Sequence, residues 1–158
     1  MLKHDEDLDR LEAAMGSCMR TIKKPGYWEE LSRRARVNVD RPAAAILQVL
    51  DSGPCQFQSL VTRLGIEAPP VSRKVHLLED LGLISRKQTN DKRVHELYLS
   101  NDGKKIANKI KAAKRQILSE VVSEWSNDDK SKLSYLLDRF ATDMSNKLQD
   151  KTNKTEHQ

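Results

Sequence analysis

Cysteine is scarce in this chain: Cys18 and Cys55 are the only two, they form no C-x-x-C pair, and neither stands beside a histidine in a zinc-binding spacing. A structural zinc site is excluded on that count, and a reduced compartment fits. Aromatic residues are only 4% of the chain, so a planar ligand would find few ring partners beyond Tyr27, Trp28 and Trp125. A tryptophan on an apolar stripe is in any case more often core than ligand wall. Six glycines leave few places for close backbone approach to a cofactor, and there is no G-x-S-x-G, no glycine-rich phosphate loop and no H-E-x-x-H. His4, His76, His95 and His157 are scattered. These absences argue against an enzyme, and no cofactor or metal is expected. No apolar run approaches the roughly 20 residues of a membrane span. The opening Met1-Leu2-Lys3-His4-Asp5-Glu6-Asp7 lacks the apolar core of a signal peptide, so the expected location is the cytoplasm, with no membrane partner. Asn153-Lys154-Thr155 spells a glycosylation acceptor, but without a secretory signal it carries no weight.

What the chain does have is charge, with a net of +5 and a pI of about 9.2. The excess is uneven. Residues 53–105 hold 9 basic and 6 acidic side chains, whereas residues 1–52 hold 9 of each and residues 106–158 hold 10 and 8. A cationic middle third suits phosphate neutralisation. A length of 158 residues suits one compact protomer.

The apolar pattern predicts helices throughout. Leu8, Leu11, Met15, Cys18, Met19 and Ile22 form a stripe that breaks at Pro25-Gly26, and Trp28, Leu31 and Ala35 resume it up to Asp40-Arg41-Pro42. Ala43–Leu50 reads as a short core helix closed by Asp51-Ser52-Gly53-Pro54. Leu60, Val61 and Leu64 give another, ended by Gly65-Ile66, and a further helix begins near Glu67 with Pro69 and Pro70 in its first turn, where a missing N–H costs least. Two short helices joined by a tight glycine-containing turn are a helix-turn-helix. In the second, Val71, Val75 and Leu78 share one face, and at 100° per residue the opposite face presents Pro69, Ser72, Arg73, His76 and Asp80.

After Leu81-Gly82-Leu83-Ile84 the chain reads Asn90-Asp91-Lys92-Arg93 and then alternates through Val94–Ser100, a charged hairpin tip leading into a strand. Hairpin plus helix-turn-helix is a winged helix, able to grip a duplex in two grooves at once. Ser72, Arg73 and His76 are placed for the major groove, where arginine pairs with guanine and serine or histidine bonds base edges or phosphate. Any surface helix has a polar face; the adjoining wing favours DNA. Beyond it, Ser100-Asn101-Asp102-Gly103 starts a long helix with Ile106, Ile110, Ala113, Ile117, Val121 and Trp125 on one stripe. Ser126-Asn127-Asp128-Asp129 caps a last helix carrying Leu133, Leu137, Phe140, Met144 and Leu148. The first helix and the last two hold more apolar surface than a small winged core can use, which points to a homodimer.

The fold class expected is therefore mainly α with a small β wing: a winged helix-turn-helix with long N- and C-terminal dimerisation helices. One domain of 1–158 would comprise an N-terminal helix region at 1–40, the DNA-binding lobe at 41–100, C-terminal helices at 101–149 and a disordered tail at 150–158, which lacks apolar anchors.

The chain resembles the MarR family of dimeric winged-helix regulators. The resemblance rests on Leu64-Gly65-Ile66, Val71-Ser72-Arg73-x-Val75, Leu78-Glu79-x-x-Gly82-Leu83-Ile84-x-Arg86 and Asp91-x-Arg93-x-x-x-Leu97-x-Leu99-Ser100-x-x-Gly103, and covers roughly residues 41–125. It implies a homodimer on double-stranded DNA, a repressor on a pseudo-palindromic operator. Ser72, Arg73 and their neighbours Lys74 and His76 would lie in the major groove, with Arg93 in the minor groove. Lys87 and Lys92 would add phosphate contacts, and Arg86 and Asp91 belong to the same DNA-binding set. Asp91 has short reach and would be repelled by phosphate, so its expected role is to pair with Arg93 or Arg86 and orient it, besides serving as a turn residue. The resemblance also implies release by a small aromatic or phenolic effector where the helical dimer body meets the DNA-reading lobe. Pro69 and Pro70 stand where the family often has small hydroxyl residues, and Leu77 where it often has a basic one.

Two rivals remain open. Cys18, near Arg20, Lys23 and Lys24, could be an oxidant-sensing thiolate, although its place on the apolar stripe favours a small hydrophobe buried at the dimer interface. Alternatively, the winged helix could serve only protein interactions, in which case binding would not show the steep salt dependence of DNA recognition.

Overall fold

A computed structural model of the chain describes the backbone of residues 3–88 and 95–155, and side chains from 6 to 88 and from 95 to 148. Within these residues the order is α1 (Lys3–Lys23), α2 (Pro25–Ala35), α3 (Arg41–Asp51), β1 (Cys55–Gln56), α4 (Phe57–Leu64), α5 (Ala68–Asp80), β2 (Ile84–Gln88), β3 (His95–Leu99), α6 (Asn101–Val121) and α7 (Asn127–Thr155). The mainly helical fold with a small β wing is as expected. No helix among the described residues is long and apolar enough to cross a membrane.

Local chemistry sets these boundaries. Proline at the start of α2 fixes a helical φ where no N–H partner is needed, so α1 and α2 separate at Lys24. Asp40 caps α3, its Oδ1 accepting from the Ala43 N–H at 2.9 Å. Gly65 closes α4 at φ 62°, its N–H donating to the Val61 and Thr62 carbonyls, and Gly82, at φ 67°, ends α5 in the same way. The Ser100 hydroxyl accepts from the Gly103 N–H at 3.0 Å and donates to the Gly82 carbonyl at 2.6 Å, so one side chain caps α6 and ties it to the loop after α5.

The sheet has the order β1-β3-β2, all antiparallel, with Cys55 opposite Leu97, and Ile84 opposite Leu99. Its inner face meets α3, α4 and α5 in a core built from Ile46, Leu47, Leu50, Leu60, Val71, Val75, Leu78, Ile84, Leu97 and Leu99. A second cluster, with Leu31, Ala35, Val37, Ala44, Ile110 and Ala113, joins α2 and α6 to the other side of α3. α3 is thus covered on two faces, which explains its nearly unbroken apolar sequence.

The chain divides into two compact units, Met1–Ile117 and Leu118–Gln158. Gly103, Ala107, Ile110 and Ala113 are buried among the first unit's helices, which binds most of α6 to the winged lobe. α6 stops at Val121, four residues before Trp125, so Trp125 lies beyond the helix expected to carry it, and both side chains are exposed. α7 runs to Thr155, so residues 150–155 are helical where a disordered tail was expected. No glycine or proline interrupts Gln149–Thr155, so the backbone chemistry does not stop the helix there.

Within the second unit, Ser126 caps α7 through the Asp129 N–H at 3.0 Å, as its sequence suggests. Leu133, Leu137, Phe140, Met144 and Leu148 follow at helical spacing and are exposed.

Candidate nucleic-acid interface

α4, the turn at Gly65 and α5 form the helix-turn-helix. Leu60 anchors α4, and Val71, Val75 and Leu78 anchor α5, each between 0 and 3% exposed, which fixes which face α5 shows to solvent. That face carries Arg73 and His76, both exposed, with Ser72 half-buried at its edge. Among the described residues, Arg73 and His76 have no hydrogen-bond or ion-pair partner, so their donors point into solvent. In the first turn of α5, Pro69 and Pro70 remove two backbone donors that a phosphate could otherwise use. Glu67 caps the helix without a side-chain hydrogen bond.

The other cations of the expected site are placed differently. Lys74 is half-buried and pairs with Asp40, linking α5 to the start of α3. Burial works against ionisation of Asp40, but the Lys74 ammonium and the Ala43 N–H outweigh it and hold the carboxyl below the usual aspartate range. Arg86, on β2, meets Glu79 of α5 through two guanidinium nitrogens, Nε and Nη2, one on each carboxylate oxygen. The Glu79 hydrogen bond pushes the Arg86 pKa up. Lys87 lies 3.4 Å from Glu96 across the β2–β3 pair. All three side chains have carboxylate partners, whereas among the described residues Arg73 and His76 have none.

The wing's root is β2 and β3, with Gln88 opposite His95. Asp91, Lys92 and Arg93 lie outside the described residues. Arg86 has its carboxylate in Glu79. Asp40 and Glu79 were missed by sequence reasoning. Asp40 had a signal, an Asp two residues before a proline that opens a helix; Glu79 and Arg86 meet only because α5 turns back at Gly82.

Cys18 is exposed on α1, and the protomer alone does not bury it. Cys55 is buried, and that burial pushes its thiol pKa up.

A recess of about 250 Å³ opens in the first unit, lined by Ile22, Tyr27, Trp28, Leu31, Arg41, Ala44, Ala45, Gln48 and Lys114. Lys114 donates to Gln48 Oε1 at 2.7 Å. Burial and the nearby Arg41 charge both lower its pKa. Two aromatic rings and two cations therefore converge, and no carboxylate is paired with either cation among the described residues.

This arrangement of helix-turn-helix and flanking antiparallel strands is a winged-helix fold. The chain matches the model of the MarR family over residues 37–94. It is 28% identical over 88 residues to YwoH of Bacillus subtilis (strain 168), an HTH-type transcriptional regulator; the match spans 56% of this chain and 64% of that relative. Solved structures share the fold. FabT of Streptococcus pneumoniae, solved in complex with DNA, superposes with a TM-score of 0.71 at 17% identity, covering 88% of this chain and 98% of FabT. A MarR family transcription regulator superposes with a TM-score of 0.70 at 22% identity, covering 89% of this chain and 96% of that one.

Proposed function

We propose that this protein is a homodimeric transcriptional repressor that binds a pseudo-palindromic operator in double-stranded DNA and is released by a small ligand. The outward face of α5 carries the reading. Arg73 and His76 are exposed there without hydrogen-bond or ion-pair partners among the described residues, on a helix whose other face is locked into the core. A guanidinium left unpaired beside a cationic wing suits base edges and phosphates better than a protein surface. FabT supports the DNA reading by analogy, having been solved with DNA bound. Ser72 would contact phosphate or a base edge, and from the wing Lys92 would contact phosphate and Arg93 would reach the minor groove. Lys74, Arg86 and Lys87, the last also expected on phosphate, would act chiefly by positioning α5 and the strands, since each has a carboxylate partner.

Two copies are supported by the apolar faces that one copy leaves open. Leu8, Leu11, Met19 and Ile22 are 45–54% exposed on α1, and α7 shows its own leucine-rich face. Release by an effector is supported by the recess beside Tyr27 and Trp28. With Arg41 and Lys114 at its wall, an aromatic carboxylate or phenolate is the chemistry that fits.

The test is fluorescence-anisotropy binding to duplex DNA from upstream of the protein's own gene, against a scrambled duplex, over a range of salt. The expected result is preference for the native fragment and a steep loss of affinity with salt. Weak binding that ignores both sequence and salt would point to a winged helix used for a protein partner.

A further inference from the structure

The outward face of α5 is not wholly polar. Leu77 is 45% exposed, in the same helix as Arg73 and one turn after it. A single exposed leucine needs no explanation by itself. Its company is what matters here. At 100° per residue Leu77 lies 40° from Arg73 around the helix, on the side away from the core positions Val71, Val75 and Leu78. Side chains four apart on a helix stand about 5–6 Å from each other, between one and two steps of a duplex whose bases rise 3.4 Å per strand. An arginine and a leucine so placed address neighbouring base pairs. The major groove offers an aliphatic side chain one apolar feature, the C5-methyl of thymine.

We propose that Leu77 is a specificity determinant that packs against a thymine methyl one or two steps from the base read by Arg73. The assignment rests on the DNA-binding reading above and adds the chemistry of one operator position. Leu81, the other exposed leucine at this end, sits at the cap of the helix and 80° around from Arg73, too far toward the loop to share that contact. Asp80 also lies on the outward face, where its carboxylate would repel phosphate near the end of α5.

The experiment begins with selection of duplexes from a random library by the full chain. Each thymine of the enriched site is then replaced by uracil, which removes only the methyl, and affinity is measured for the wild type and for Leu77→Ala. The expected result is one thymine per half-site whose replacement weakens wild-type binding roughly fourfold, the worth of one buried methyl, and leaves Leu77→Ala unaffected. Selection repeated with Leu77→Gln should change the base at that position to adenine, which glutamine can pair. If every uracil replacement is neutral for the wild type, or if the sensitive thymine stays equally sensitive in Leu77→Ala, the assignment is overturned while DNA reading stands. No enriched sequence at all would overturn the DNA reading itself, and this assignment with it.

Discussion

The α-carbon of Gly103 faces the carbonyl oxygen of Leu83 so closely that an added β-carbon would lie 2.0 Å from it. The same carbonyl accepts the Ser100 N–H at 3.0 Å, so the oxygen cannot move aside without losing that bond. Gly103→Ala should therefore cost about 3 kcal/mol of stability, by overpacking against backbone. Urea denaturation at fixed protein concentration, followed by circular dichroism, measures it. A loss below about 1 kcal/mol would show that α6 can shift on the wing root.

The pairing of cations separates readers from positioners. Arg73→Ala should cost about 1–3 kcal/mol of DNA binding and relax preference at one operator position. Arg93→Ala should weaken binding on all sequences and reduce the salt slope by about one. Arg86→Ala should leave the slope almost unchanged, because Glu79 already balances that charge. Anisotropy titrations of the three variants at several salt concentrations distinguish these outcomes.

Asp40 gives a pH signature. Its carboxyl is held below the ordinary aspartate value of 3.8, so the stabilisation from ionised Asp40 is present above that value and disappears as the pH falls through the lower, folded-state pKa. Asp40→Asn keeps a good helix cap but removes the charge facing Lys74. The expected difference from wild type is small at neutral pH, about 0.5 kcal/mol for so exposed a pair, and it should vanish in acid. Denaturant midpoints of both proteins across the acid range check this, and a difference that persisted or grew in acid would contradict the ion-pair role.

The recess can be tested without DNA. Benzoate should quench Trp28 fluorescence on binding, and Arg41→Ala or Lys114→Gln should weaken that binding about tenfold, the worth of one charge-assisted hydrogen bond. Equal quenching of all three proteins would place the ligand elsewhere. Trp125 lies in the other compact unit, so a Trp125→Phe background keeps the signal specific.

Much of this architecture was legible in the residues. Val71, Val75 and Leu78 set the buried face of α5 by spacing alone, and Gly65 and Gly82 marked its flanking turns because each needs a positive φ. Other features had no local trace. β1 is two residues long, below any periodicity, and exists because Cys55 and Gln56 find β3. Lysines and arginines near the reading helix looked alike in sequence, yet Lys74 and Arg86 spend their charge on Asp40 and Glu79, partners 34 and 7 residues away. Exposure at Val121 and Trp125 likewise depended on where α6 stops.

Asp40 joins neighbours that the chain otherwise keeps apart. Its carboxylate holds Lys74 of the reading helix, and the very next residue, Arg41, forms part of the recess wall. A single peptide bond therefore separates the place where a small molecule would sit from the tether on the helix that would enter the groove. On the effector reading proposed above, a ligand that moved Arg41 would also move that contact, and its occupancy would be felt on α5 without a long relay of side chains.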